Sequence, residues 1–118
     1  MELNLLEELE NIPNEFTDVI PKAYRTAAMG TNGDGDFSFL SKPIGQEFSV
    51  AAVALWTKYG TADAYIGDRK IDSFVPGQVV WYRVQAGDLN NSFLNLSIKN
   101  SNGHYCCFVP YYAYNLTY

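Results

Sequence analysis

The apolar positions of the chain change period once, near residue 30. Before that point Leu3, Leu5, Leu6, Leu9 and Ile12 recur at spacings close to one face of a helix, with Glu2, Glu7, Glu8 and Glu10 on the polar side. Acidic side chains in the first turns complement the partial positive charge at a helix N-terminus. The pattern predicts a short amphipathic helix that ends near Pro13. Asn14 is placed to cap a second brief turn through Val19, and Pro21 suits the first position of a third segment running through Tyr24 and Ala28 toward Gly30. Residues 1–30 therefore read as a broken helical arm.

From Thr31 the runs are short, rich in aromatic and β-branched residues, and bounded by turn formers: 37–40, 48–56, 64–67, 78–84, 93–98 and 104–109. Leu94, Leu96 and Ile98 alternate with Phe93, Asn95 and Ser97, and Val80, Tyr82 and Val84 alternate with Trp81, Arg83 and Gln85. Strict alternation marks strands with one wet face, which suits antiparallel sheets better than a parallel one. Asn102-Gly103, between two runs, predicts a hairpin, and Pro76-Gly77 predicts a type II turn leading into a strand. The expected fold is mainly β: six to eight strands in an antiparallel β-sandwich or jelly-roll-like domain over 31–118, with a short N-terminal helical arm over 1–30.

Composition narrows the function. The 118 residues make one core of ordinary size, and 47% apolar against 18% charged residues is enough to fold it. The net charge of −5, with only 8 Lys and Arg, argues against a nucleic-acid partner, since phosphate is held mainly by basic side chains. No apolar run approaches the ~20 residues that cross a bilayer, and Met1-Glu2-Leu3-Asn4-Leu5 does not begin like a signal peptide. The expectation is a protein of the virion if the source is viral, of the cytoplasm otherwise, with no membrane partner. Sequons at Asn90, Asn95 and Asn115 carry no weight without export.

Candidate chemistry is sparse. Cys106 and Cys107 are adjacent in a predicted strand, where neighbouring side chains point to opposite faces, so they are expected as reduced core residues. His104 is the single histidine, too close to them on one strand to form a nucleophile pair over a pocket, and it reads as a surface residue. Asp63, Asp68 and Asp72 fall in turn-like surroundings with no spacing that fixes a paired-carboxylate site. Asn32, Asp34, Gly35 and Phe37 match the third, fifth, sixth and eighth positions of the calcium loop of EF-hands and resemble the dockerin loop. Gly30 and Ser41 then stand where the first carboxylate and the bidentate acid belong, so a Gly/Asp hinge is the better reading of Asn32, Asp34 and Asp36. No cofactor, no resident metal and no enzymatic activity are expected.

The remaining conspicuous feature is aromatic residues, 15% of the chain. Trp56, Tyr59, Tyr65, Trp81, Tyr111, Tyr112 and Tyr114 offer rings for a partner surface or for stacking on sugars. The segment Phe74-Val75-Pro76-Gly77-Gln78-Val79-Val80-Trp81-Tyr82-Arg83-Val84 resembles strands of phage fibre, capsid-accessory and carbohydrate-binding sandwiches. An arm on a compact β domain loosely resembles the accessory and decoration proteins of bacteriophage virions. The resemblance implies a multimeric virion component. The expected function is thus a non-enzymatic assembly protein that uses the arm residues Leu3, Leu5, Leu6, Leu9 and Ile12, together with the Tyr-rich β surface, to contact copies of itself or other proteins. The alternative is a carbohydrate-binding or lectin-like module with a glycan partner.

Overall fold

The computed structural model describes residues 19–20, 29–31, 33–41, 48–90, 92–102 and 104–114. Ten strands run through them: β1 (Val19–Ile20), β2 (Met29–Thr31), β3 (Gly35–Leu40), β4 (Phe48–Tyr59), β5 (Ala62–Ile66), β6 (Arg69–Phe74), β7 (Val80–Arg83), β8 (Leu89–Asn90), β9 (Phe93–Lys99) and β10 (His104–Tyr114). They form two antiparallel sheets. The first has the order β1-β10-β4-β7, with β2 pairing β10 as well; the second has the order β3-β9-β5-β6, with β8 beside β9.

The pairing is nested. β5 pairs β6 across the tightest turn, β4 pairs β7 outside it, β3 pairs β9 outside that, and β2 pairs β10 outermost. The eight strands are thus one long antiparallel ribbon, and rolling the ribbon brings β10 against β4 and β9 against β5 to close the two sheets. The closed end of the ribbon is Gly67-Asp68, with Gly67 at φ 58° and Ile66 opposite Arg69. A glycine at the first central position is what a two-residue hairpin of the primed type requires.

One core fills the space between the sheets. Val50, Val53 and Leu55 of β4 and Cys106, Phe108 and Tyr112 of β10 meet Phe39, Ala62, Ala64, Phe74, Leu94, Leu96 and Ile98 from the other sheet. Phe108 is central, edge-on to Phe74 at 5.2 Å and to Phe37 at 6.1 Å between ring centroids. The alternation expected for β9 is present: Leu94, Leu96 and Ile98 are buried while Phe93, Asn95, Ser97 and Lys99 face outward.

The first sheet departs from the expected wet face. Every residue of β4 from Val50 to Thr57 and of β10 from Cys106 to Ala113 is buried, so these two strands are covered on both faces. Their runs, Val50 to Trp56 and Cys106 to Ala113, are continuously apolar, the pattern of strands buried on both sides. Ala51 is an extra residue in β4, where Tyr111 faces Ala52 and Tyr112 faces Val50. Pro110 stands opposite Val53. On its other edge it falls between the residues paired with β2 and those paired with β1, a place where a central strand tolerates the missing N–H.

Other local expectations divide. Pro76-Gly77 is a type II turn, with Gly77 at φ 82° and the Gln78 N–H donating to the Val75 carbonyl at 3.4 Å. Asn102-Gly103 does not make a hairpin, because β9 and β10 belong to different sheets and pair with other strands. Asn102 instead ties two crossovers together: its N–H donates to the Thr61 carbonyl at 3.0 Å, and its side-chain oxygen accepts the Thr61 N–H at 2.7 Å. Within the arm expected as a broken helix over 1–30, Val19–Ile20 is a strand, and so is Met29–Thr31, which runs across the expected boundary with the β domain; both lie on the edge of β10. The arm residues Leu3, Leu5, Leu6, Leu9 and Ile12 lie outside the described residues.

Candidate functional site

The sandwich offers two broad outer faces, and they differ in chemistry. On the first sheet Ala52, Ala54, Trp56, Cys107, Val109, Tyr111 and Ala113 form a second apolar cluster on the side away from the main core, with Val79 and Trp81 packed against it. The Trp81 and Tyr111 rings lie 4.8 Å apart. This side also holds Cys107, whose thiol is pushed up to about 12 by burial and, second, by neighbouring Cys106. Cys106 is on the opposite face, where its thiol donates to the Thr57 hydroxyl at 3.3 Å. Both cysteines are free and buried.

The outer face of the second sheet is polar. Register places Asp36, Ser97, Tyr65 and Lys70 in one row across β3, β9, β5 and β6, and Asp63 between Lys99 and Ser73 in the next. The side chains bond to one another. Ser97 donates to Asp36 at 2.6 Å, Ser38 donates to Asn95, and Asp63 accepts Asn100 at 3.0 Å and pairs with Lys70 at 3.3 Å. The Asn100 hydrogen bond first, and the bonds and charge from Lys70 after it, hold the Asp63 carboxyl below the usual carboxylate range. Lys99 places its ammonium 4.6 Å from the Tyr65 ring centre. Phe93 adds a large apolar side chain, 46% exposed, at one end of this face.

A third cluster closes the open side of the sandwich. Asp88, in a single 3-10 turn at Ala86–Asp88, has a side chain only 1% exposed. One carboxylate oxygen takes the Arg69 guanidinium of β6, and the other accepts the Tyr82 hydroxyl of β7 at 2.6 Å and the Gln85 N–H at 2.8 Å. Burial, then donation to Asp88, raises the Tyr82 phenol above its ordinary value. Asp88 therefore joins an edge strand of one sheet to an edge strand of the other, with both its oxygens in use. This is the geometry of a structural clasp.

The residues singled out from the sequence are not brought together. Trp56 and Tyr111 are buried under the first sheet's outer face, and Tyr112 is buried in the main core with its hydroxyl donating to the Leu40 carbonyl at 3.1 Å. They cannot form the exposed Tyr-rich surface expected of them. Trp81 is half-buried against Tyr111, Tyr65 lies beside Lys99, and Tyr59 is largely exposed, at 57%, with the Lys58 ammonium 5.6 Å from its ring centre. Tyr114 is described only as a backbone position opposite Phe48, and His104 as one opposite Tyr59.

Asp34 and Asp36 are engaged apart from each other, Asp34 accepting the Ser101 N–H at 2.9 Å and Asp36 the Ser97 hydroxyl. The hinge expected there is in part strand β3, while Asn32 lies outside the described residues. Among the described residues no cluster of three or more His, Cys, Asp or Glu side chains could hold a metal ion, and no helix is long and apolar enough to cross a membrane. Sequence reasoning missed Asp88 and the face around Asn95 and Ser97; the alternation of β9 was the available signal for the second. No protein-family model, curated protein or solved structure matches the chain.

Proposed function

We propose that the chain is a non-enzymatic assembly protein of the jelly-roll class, a virion component of the capsid-accessory, decoration or fibre type. The nested order of the ribbon supports this reading. Two sheets ordered β2-β10-β4-β7 and β3-β9-β5-β6 follow the eight-strand jelly-roll scheme, an architecture used by viral capsid domains and also by lectins. Fold alone is an analogy for function, so the choice between those uses rests on the surfaces.

A sugar-binding face needs an aromatic ring free to stack. Among the rings described, Trp56 and Tyr111 are buried, Trp81 packs on Tyr111, and Tyr65 and Tyr59 each lie beside a lysine ammonium, which leaves Tyr59, 57% exposed, as the support for the lectin alternative. A protein neighbour asks for less: a broad polar face with an apolar anchor. The outer face of the second sheet has both, with Phe93 exposed at the end of the row that continues through Asn95 and Ser97. The proposed contact surface is therefore this face, in place of the Tyr-rich one.

Native mass spectrometry of the full chain and of Phe93→Asp tests the reading. A multimer of defined copy number that Phe93→Asp dissociates is the expected result. A monomer at every concentration overturns it, and a glycan-array signal abolished by Tyr59→Ala would move the function to the lectin class.

A further inference from the structure

The outer face of an antiparallel sheet ordinarily meets water. Here Ala52, Ala54, Cys107, Val109, Tyr111 and Ala113 are at most 2% exposed, and Trp56 is 8% exposed. The second sheet lies on the other side of the sandwich and cannot cover them. Val79 and Trp81 pack against the cluster from the β7 side, and no second layer lies over it among the described residues. We infer that the cover is this chain's own N-terminal segment, with Leu3, Leu5, Leu6, Leu9 and Ile12 seated on the face.

Three observations select that segment. Val19–Ile20 pairs with Tyr112 and Ala113, so the chain enters the sheet at the edge of this very face, with Val19 seven positions after Ile12. The dimensions agree as well: ten residues in helical form span about 15 Å, against roughly 10 Å between the outer two of the three strands β10, β4 and β7. The third is composition. Of the stretches outside the described residues, 21–28, 42–47 and 115–118 hold at most one Leu or Ile each, whereas 1–12 holds five. An aliphatic stripe too short to be stable alone finds here the apolar surface it needs, and Ala52, Ala54 and Ala113 leave room for larger side chains to approach. The arm is then a layer of the fold and not a free device for reaching a neighbour.

The two cysteines report on it separately, since Cys107 lies on the covered face and Cys106 between the sheets. Full chains bearing Cys106→Ala or Cys107→Ala are labelled natively with a maleimide, each with and without Leu6→Asp/Leu9→Asp. The expected result is that the charged pair speeds labelling of Cys107 by at least about tenfold and leaves Cys106 protected, since only the local cover is opened. An unchanged Cys107 rate overturns the inference, as does an equal rise at both thiols. Cys107 labelling of the otherwise unaltered arm that accelerates on dilution assigns the cover to a second copy, and likewise overturns it. None of these outcomes depends on Phe93, so the result is separable from the assembly reading.

Discussion

Asp88→Ala removes the clasp between the two sheet edges, and its cost can be worked from the contacts. The Tyr82 hydroxyl and the Gln85 N–H lose a charged acceptor. Hydrogen bonds to charged groups contribute roughly 1.5–3 kcal/mol each. Tyr82 is half-buried and Gln85 exposed, so water restores part of the loss, and the lower end of the range applies: about 3 kcal/mol for the pair. The Arg69 side chain is 56% exposed, so water takes over its solvation and nothing is added for it. With a urea dependence of ~2 kcal/mol per molar, the unfolding midpoint falls by about 1.5 M. Equilibrium urea unfolding followed by Trp56 and Trp81 fluorescence reads this directly. Tyr82→Phe is expected to cost about half as much, from the bond to Asp88 that it deletes, the exposed bond from Arg69 to the same hydroxyl adding little; Arg69→Ala leaves one oxygen of the buried Asp88 carboxylate without its partner and is expected to cost roughly 1–3 kcal/mol. Asp88→Ala within ~0.5 kcal/mol of the parent, the range of an ordinary surface substitution, would refute the reasoning.

Three further outcomes follow from the same contacts. Phe108→Ala opens a cavity between Phe37 and Phe74 and is expected to cost ~3–5 kcal/mol in thermal or urea unfolding, whereas Phe93→Ala on the exposed face costs little. Gly67→Ala, at φ 58° with open space around it, is expected to lose about 1–2 kcal/mol from backbone conformation alone, measured as a shift in urea midpoint at unchanged slope. Asp63 is more acidic folded than unfolded, so its stabilisation is present above the unfolded carboxylate pKa of about 4 and is lost as pH falls through the lower folded value. Asp63→Asn should therefore be less stable than the parent at pH 7 and converge with it as pH falls below the lowered folded value; a gap that persists in acid would contradict the assignment.

Each sheet was legible in the sequence only in part. Leu94, Leu96 and Ile98 announced β9 because one face is wet, and Pro76-Gly77 announced its turn because proline and glycine fix the two central φ angles. Arg69–Phe74 was passed over: Arg-Lys-Ile-Asp-Ser-Phe has little β-propensity, and only Gly67-Asp68 before it carried the hairpin signal. Asn102-Gly103 misled because an Asn-Gly pair satisfies a crossover as well as a hairpin, and sequence does not say which sheet the next strand joins. Tyr111 and Tyr112 read as surface because tyrosine suits an interface. They are buried because β10 is central in a sheet covered on both faces, and the unbroken apolar run from Cys106 was the signal of that. Asp88 could not be found from sequence, since its partners Arg69 and Tyr82 converge only after the ribbon rolls.

The most direct measurement of the central claim is cross-linking of an equal mixture of 14N- and 15N-labelled full chain with an amine-reactive reagent, read by mass spectrometry for links between differently labelled copies. If the protein assembles through the outer face of the second sheet, mixed-isotope links should involve Lys70 and Lys99 on that face, and Phe93→Asp should abolish them. Links confined to single copies, or intermolecular links that survive Phe93→Asp, would contradict the account.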